Sequence, residues 1–216
     1  MTRDELEGWC RDEGLELSAE AWARLDRLMS LWRRYGRALN LVGSTEPEVL
    51  YEHIREALLG VRLVERLAEG EERILWLDIG SGGGLPGLVV AAARDWEVIL
   101  VEPRERRAAF LELGMGMLGG RTGRVIRGRW PLSTWSRKLL GDVESRMESS
   151  YSVLSSRAVF SADRWVLEAL EGVISRGIVL CHVEIGVEEV AGKKPTGVQR
   201  GGRWSVLGFS VGSGAE

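Results

Sequence analysis

Asp78-Ile-Gly80-Ser-Gly82-Gly83-Gly84-Leu85-Pro86-Gly87 separates two short apolar runs, Ile74–Ile79 and Leu88–Ala93. The first run has the length of a buried strand and the second continues as a helix, so the glycines occupy a strand-to-helix turn. The same unit recurs downstream. A strand at Val98–Val101 ends at Glu102, a helix follows from Arg104 to about Met117, and Arg124–Arg127 reads as a short strand. Residues 131–150 are polar and read as a loop with some helix. Tyr151–Ser156 is a strand, Ala162–Val173 a helix, Gly177–Val183 a strand, 186–202 a loop and Trp204–Val211 a final strand. Alternation of this kind predicts an α/β fold of Rossmann-like type, a largely parallel sheet with helices on both faces.

Upstream of the turn, residues 1–70 read as a helical extension and 71–216 as the α/β core, within one structural domain. Thr2 and Glu5 have capping-box spacing, as do Thr45 and Glu48 with Pro47 in the first turn. Trp22, Leu25, Leu28, Met29, Trp32 and Tyr35 recur at helical intervals, opposite a face carrying Arg24, Arg27, Arg33, Arg34 and Arg37.

Bulk properties narrow the function. Hydrophobic residues at 44% and charged residues at 28% describe an ordinary globular chain. No apolar run approaches the roughly 20 residues that span a bilayer, and Met1–Cys10 is too charged for a signal peptide. A cytoplasmic protein with no membrane partner is therefore expected, and a monomer is taken as its state. Cys10 and Cys181 lie far apart without metal-ligand spacing and read as two unpaired thiols, and two histidines make no histidine-rich metal site. The net charge of −3 does not mark a nucleic-acid binder, yet only three of the 29 cations are lysines, and arginine suits phosphate forks and base stacking.

Glycines in the turn let the backbone bend sharply and approach a ligand at the carboxyl end of the strands. The turn residues Gly80, Ser81 and Gly82 are candidate ligand contacts, and Glu102, 24 residues after Asp78, is placed to accept hydrogen bonds from ribose hydroxyls. Residues 82–87 satisfy the bare G-x-G-x-x-G pattern, which suggests a nicotinamide dinucleotide and an oxidoreductase. The turn, however, begins at Gly80, and Asp78 stands two residues before it. An acid there is unwelcome beside a pyrophosphate, whereas it suits the amino acid end of S-adenosylmethionine, reached directly or through water. The methyltransferase reading is preferred.

With those residues in hand, the sequence resembles the 16S rRNA guanine-N7 methyltransferase G family, also called the glucose-inhibited division protein B family. The resemblance is carried by Leu31-Trp32, Leu39-Asn40-Leu41, Glu52-His53-Ile54, the Asp78 turn with Gly84-Leu85-Pro86-Gly87, Glu102, Arg106-Arg107, Phe110-Leu111, Arg129, Ser156-Arg157-Ala158 and Arg203. It implies S-adenosylmethionine as cofactor and methyl transfer to N7 of a guanine in the 530 loop of 16S rRNA, in a small-subunit precursor or the RNA itself. It implies cofactor contacts at Gly80, Leu85 and Arg157, and backbone contacts on the adenine side at Trp130 and Pro131. Gly83 stands where the family commonly has proline. The family's Lys-Gly pair after the fifth strand is absent from Cys181–Gly186, leaving Lys193 and Lys194 to substitute only if their loop folds back.

Guanine N7 carries an exposed lone pair, so no general base is required and no catalytic side chain is assigned. Two arginine clusters, Arg104/Arg106/Arg107 and Arg33/Arg34/Arg37, are expected to hold RNA phosphates, with a solvated helix face as the competing reading. Arg106 and Arg107 are expected to do so without touching the cofactor. His53 reads as a structural, hydrogen-bonded histidine, and a non-catalytic RNA- or cofactor-binding relative is the third functional alternative.

Overall fold

The computed structural model describes residues 1–119, 123–157, 159–171 and 174–212. Three helices come first, α1 (Arg3–Asp12), α2 (Ala19–Tyr35) and α3 (Pro47–Leu67). There follow β1 (Ile74–Ile79), α4 (Gly87–Ala93), β2 (Glu97–Val101), α5 (Glu105–Met117), β3 (Gly123–Ile126) and α6 (Arg137–Glu148). The chain ends with β4 (Tyr151–Ser156), α7 (Ala162–Leu170), β5 (Gly177–Glu184), β6 (Gly197–Gly201) and β7 (Trp204–Val211). The helix predicted over 162–173 ends at Leu170; Val173 lies outside the described residues.

The seven strands form one sheet in the order β3-β2-β1-β4-β5-β7-β6. β1 to β5 are parallel, and β7 is antiparallel to both of its neighbours. The chain starts in the middle, builds outward to β3, then crosses to the other side of β1 at β4. That reversal opens a crevice between the carboxyl ends of β1 and β4. Ile79 pairs with both Val101 and Ser156, so the segments after β1, β2 and β4 emerge along one edge.

Period-2 alternation divides the core. Leu75, Leu77 and Ile79 face one hydrophobic cluster with α6 and α7, while Trp76 faces the other, with α1 to α5. The N-terminal helices therefore share a core with the sheet. Thr2 forms the expected capping box with Glu5. The second expected box is not formed: Glu46 is the N-cap without a side-chain bond, because Ser44 Oγ accepts from Glu46 N and shapes the entry instead. Arg24, on the face opposite the apolar stripe of α2, is buried and paired with Glu20 and Asp95. Two elements exceed the sequence expectation: α6 is a full helix capped by Ser136, and β6 is a strand within the 186–202 loop.

Candidate functional site: the cleft at the β1/β4 switch point

A cleft of about 640 Å³ lies above the ends of β1, β2 and β4, within the size range of small-molecule sites. Gly80–Gly83 and Leu85 form one wall, Glu102 to Arg104 and Arg129 one end, and Arg157, Val159 and His53 the other. Gly80 has φ +74°, and a Cβ there would lie 2.3 Å from Val159 Cγ2, so any side chain would narrow the cleft and strain the turn.

Glu102 is buried with its carboxylate at the cleft. Its Oε2 accepts from Gly82 N at 3.0 Å and its Oε1 from Arg104 N at 2.9 Å. Each oxygen keeps a further lone pair for a ligand. The arrangement pins the glycine turn and presents an acceptor pair suited to vicinal hydroxyls.

Asp78 differs from its expected role. Its carboxylate is sealed beneath the turn, where Oδ2 accepts from Gly87 N at 3.2 Å and Oδ1 from the Ser155 hydroxyl at 2.9 Å, itself an acceptor for Trp76 Nε1 at 2.8 Å. Burial drives the Asp78 carboxyl above its ordinary value against the opposing pull of Ser155 and Gly87. It shapes the turn from below and does not line the cleft. A carboxylate already occupies the first free N–H of α4, the place where a dinucleotide site receives pyrophosphate.

The N-terminal segment closes over the turn. Trp32 Nε1 donates to the Gly83 carbonyl at 2.7 Å in a buried contact, and Arg107 Nη2 donates to the Asn40 carbonyl at 2.9 Å. A Cβ at residue 83 would come within 2.6 Å of the Leu41 carbonyl oxygen, so glycine in place of the family's common proline permits this approach. Leu41, Val42 and Gly43 consequently line the cleft, a contribution that nothing in the sequence around the turn announces.

Three distant residues converge behind Arg157. Glu56 of α3 is buried; its Oε2 lies 2.9 Å from Arg157 Nη1 and 3.7 Å from His53 Nδ1, and its Oε1 lies 3.5 Å from His182 Nδ1. Burial alone would raise the Glu56 carboxyl, but the His182 and His53 contacts and the Arg157 charge together hold it well below the usual carboxylate range. His53 is hydrogen-bonded as expected, with Arg157 Nη2 at 3.4 Å from its Nδ1, yet it also opens onto the cleft. His182, at the end of β5, has a buried side chain with neither ring nitrogen hydrogen-bonded among the described residues. It stands in the region where the family carries lysine. Lys193 and Lys194 are exposed and do not reach the cleft. Burial pushes the Cys181 thiol up to about 12 and Cys10 up to about 11, so neither is a ready nucleophile.

Trp130 and Pro131, expected on the adenine side of the cofactor, do not line the cleft. Both line a separate depression, and Trp130 turns toward α7, donating to Glu168 and packing edge-on against Trp165. A bulky indole is satisfied there by apolar neighbours and an acceptor, and Arg129 takes the position at the cleft. The arginine clusters also divide. Arg104 and Arg107 line the cleft, while Arg106, Arg33, Arg34 and Arg37 are exposed and off it. Arg107 thus belongs to the ligand wall, beside Gly82, contrary to the expectation that it would not bear on the cofactor.

The sheet order, the switch-point cleft and the buried acid after β2 define a Rossmann-like methyltransferase fold. Among solved structures, an RNA methyltransferase from Salinibacter ruber in complex with S-adenosyl-L-homocysteine has the same fold, with TM-score 0.51 and 13% identity over 74% of this chain and 93% of that one. A family model described as rRNA small subunit methyltransferase G matches residues 22–183, and the chain belongs to that family. The ribosomal RNA small subunit methyltransferase G of Bifidobacterium longum is 30% identical over 161 residues, 72% of this chain and 70% of the relative. That of Bordetella avium is 34% identical over 115 residues, 52% of this chain and 51% of the relative. The chain spans about half the length of several curated relatives it matches.

Proposed function

We propose that this chain is an S-adenosylmethionine-dependent methyltransferase acting on N7 of a guanine in the 530 loop of 16S rRNA, as a cytoplasmic monomer. The observation that carries the cofactor reading is Glu102, a buried acid whose oxygens are each half-engaged by backbone and half-open to a glycine-walled cleft. Its carboxylate receives the ribose hydroxyls, the Gly80–Gly82 backbone and Leu85 receive the methionine end, and Arg157 offsets the charge of the methionine carboxylate. When bound, the cofactor supplies a methyl group carried on a sulfonium.

The protein's part in the chemistry is positional. The acceptor nitrogen brings its own lone pair, so the chain needs no base; it must hold the base in line and exclude water. Such positioning contributes roughly 7–11 kcal/mol in well-oriented systems. The glycine wall, Val159 and the Leu41–Gly43 segment enclose the reacting end of the cleft. Arg104 at the mouth and the exposed Arg106, Arg33, Arg34 and Arg37 supply phosphate contacts.

No helix among the described residues is long and apolar enough to cross a membrane. The oxidoreductase alternative is disfavoured by Asp78, whose carboxylate holds the α4 N-terminus. Thermal shift tests the reading: S-adenosylhomocysteine stabilises the protein and NAD does not. Stabilisation by NAD alone overturns it.

A further inference from the structure

His53, on α3, lines the cleft and is contacted from behind by Arg157 and Glu56. The Arg157 guanidinium offers only donors, and its Nη2 lies 3.4 Å from His53 Nδ1, closer than Glu56 Oε2 at 3.7 Å. The tautomer whose Nδ1 accepts from Arg157 carries its ring proton on Nε2. Nε2 has no hydrogen-bond partner among the described residues, and it is not among the buried unpartnered atoms, whereas both nitrogens of the neighbouring His182 are. Arg157 is itself held by Glu56 at 2.9 Å, and His182 closes the other side of that carboxylate at 3.5 Å. Glu56, Arg157 and His182, from α3, the segment after β4 and β5, thus back the ring that presents Nε2 at the cleft. The ring is half-buried, which suits a group that meets a ligand.

The chemistry of the acceptor base makes use of such a donor. On the edge that carries N7, guanine presents a second acceptor, O6, and adenine instead presents an amino donor. We propose that His53 is a specificity-determining residue that donates from Nε2 to guanine O6, with Glu56 and Arg157 as its positioning residues. This inference rests on the guanine-N7 reading above. It accounts for a carboxylate buried in α3, two of whose partners, His53 and Arg157, line the cleft.

The test uses small-subunit RNA carrying guanine, inosine or 2-aminopurine at the target position. Inosine keeps O6, and 2-aminopurine keeps N7 but lacks O6. The wild-type protein is expected to methylate guanine and inosine at similar rates and 2-aminopurine at least about tenfold more slowly, since a donor left unpaired rejects the analogue. In His53→Ala the guanine rate falls to the 2-aminopurine rate, which itself changes little, and His53→Gln, which retains an N–H donor, restores part of the ratio. S-adenosylhomocysteine affinity stays within about twofold in both variants, which separates this role from a merely structural one. An unchanged guanine-to-2-aminopurine ratio in His53→Ala overturns the inference alone. Absence of any transfer by the wild-type protein overturns the methyltransferase reading and the inference with it.

Discussion

Replacing Glu102 by glutamine isolates the acceptor role of the acid from its volume. In the wild-type protein each oxygen accepts one backbone N–H, from Gly82 at 3.0 Å and Arg104 at 2.9 Å. The amide of Gln places an N–H₂ against one of those donors and offers a donor where a ribose hydroxyl needs an acceptor. Hydrogen bonds to a charged group contribute about 1.5–3 kcal/mol each. Loss of one such ligand bond therefore weakens S-adenosylhomocysteine binding roughly 10- to 150-fold, at 1.4 kcal/mol per factor of ten. The turn also loses one backbone tie, about 1 kcal/mol, which lowers the melting temperature by roughly 2–4 °C in a chain of this size. Isothermal titration of both proteins, with melting curves alongside, reads the two effects separately. Affinity within twofold of wild type in a folded Glu102→Gln protein refutes the assignment of this acid to the ligand.

Trp32→Phe removes the indole N–H from the buried Gly83 carbonyl; an orphaned buried acceptor costs about 1–3 kcal/mol, so melting should fall by at least about 2–4 °C and S-adenosylhomocysteine should bind more weakly. An unchanged melting curve would mean that the N-terminal segment does not brace the turn. Glu56 is held below its unfolded value, so its contribution to stability is fully present above the usual carboxylate range and is lost as pH falls below about 4. Wild type should therefore be more stable than Glu56→Gln at pH 7, with the difference shrinking in acid; a difference that grows on acidification contradicts the ion-pair account. Arg37 and Arg106 are exposed and off the cleft, so replacing both by alanine should flatten the salt dependence of RNA binding by up to about two phosphate-equivalents while leaving cofactor affinity unchanged. Parallel salt slopes would assign both to a solvated face.

The glycine turn and the apolar strands flanking it were legible because both signals are local. The six residues of β1 are all buried, and a central parallel strand reads as a continuous apolar run. β6, with the sequence GVQRG, has no such run; it is a strand because β7 pairs with it and its glycines pack against Leu59, Leu63 and Leu67 of α3. Only Val143 and Met147 of α6 are buried, too thin a stripe to announce a helix from sequence. In the site, Glu102 follows from the end of its strand. The convergence of His53, Glu56, Arg157 and His182 does not, because it joins positions up to 129 residues apart in a way only the sheet order determines. Asp78 is legible in its position and not in its role: the spacing places an acid at the turn, but does not tell whether its oxygens face the cleft or the backbone beneath.

Incubating the protein with small ribosomal subunits and methyl-labelled S-adenosylmethionine, then mapping the labelled 16S rRNA by mass, decides whether the chain is a guanine-N7 methyltransferase. A single labelled nucleotide is expected, a guanine of the 530 loop bearing the methyl on N7. Label on another atom or another base, or no label at all, contradicts it.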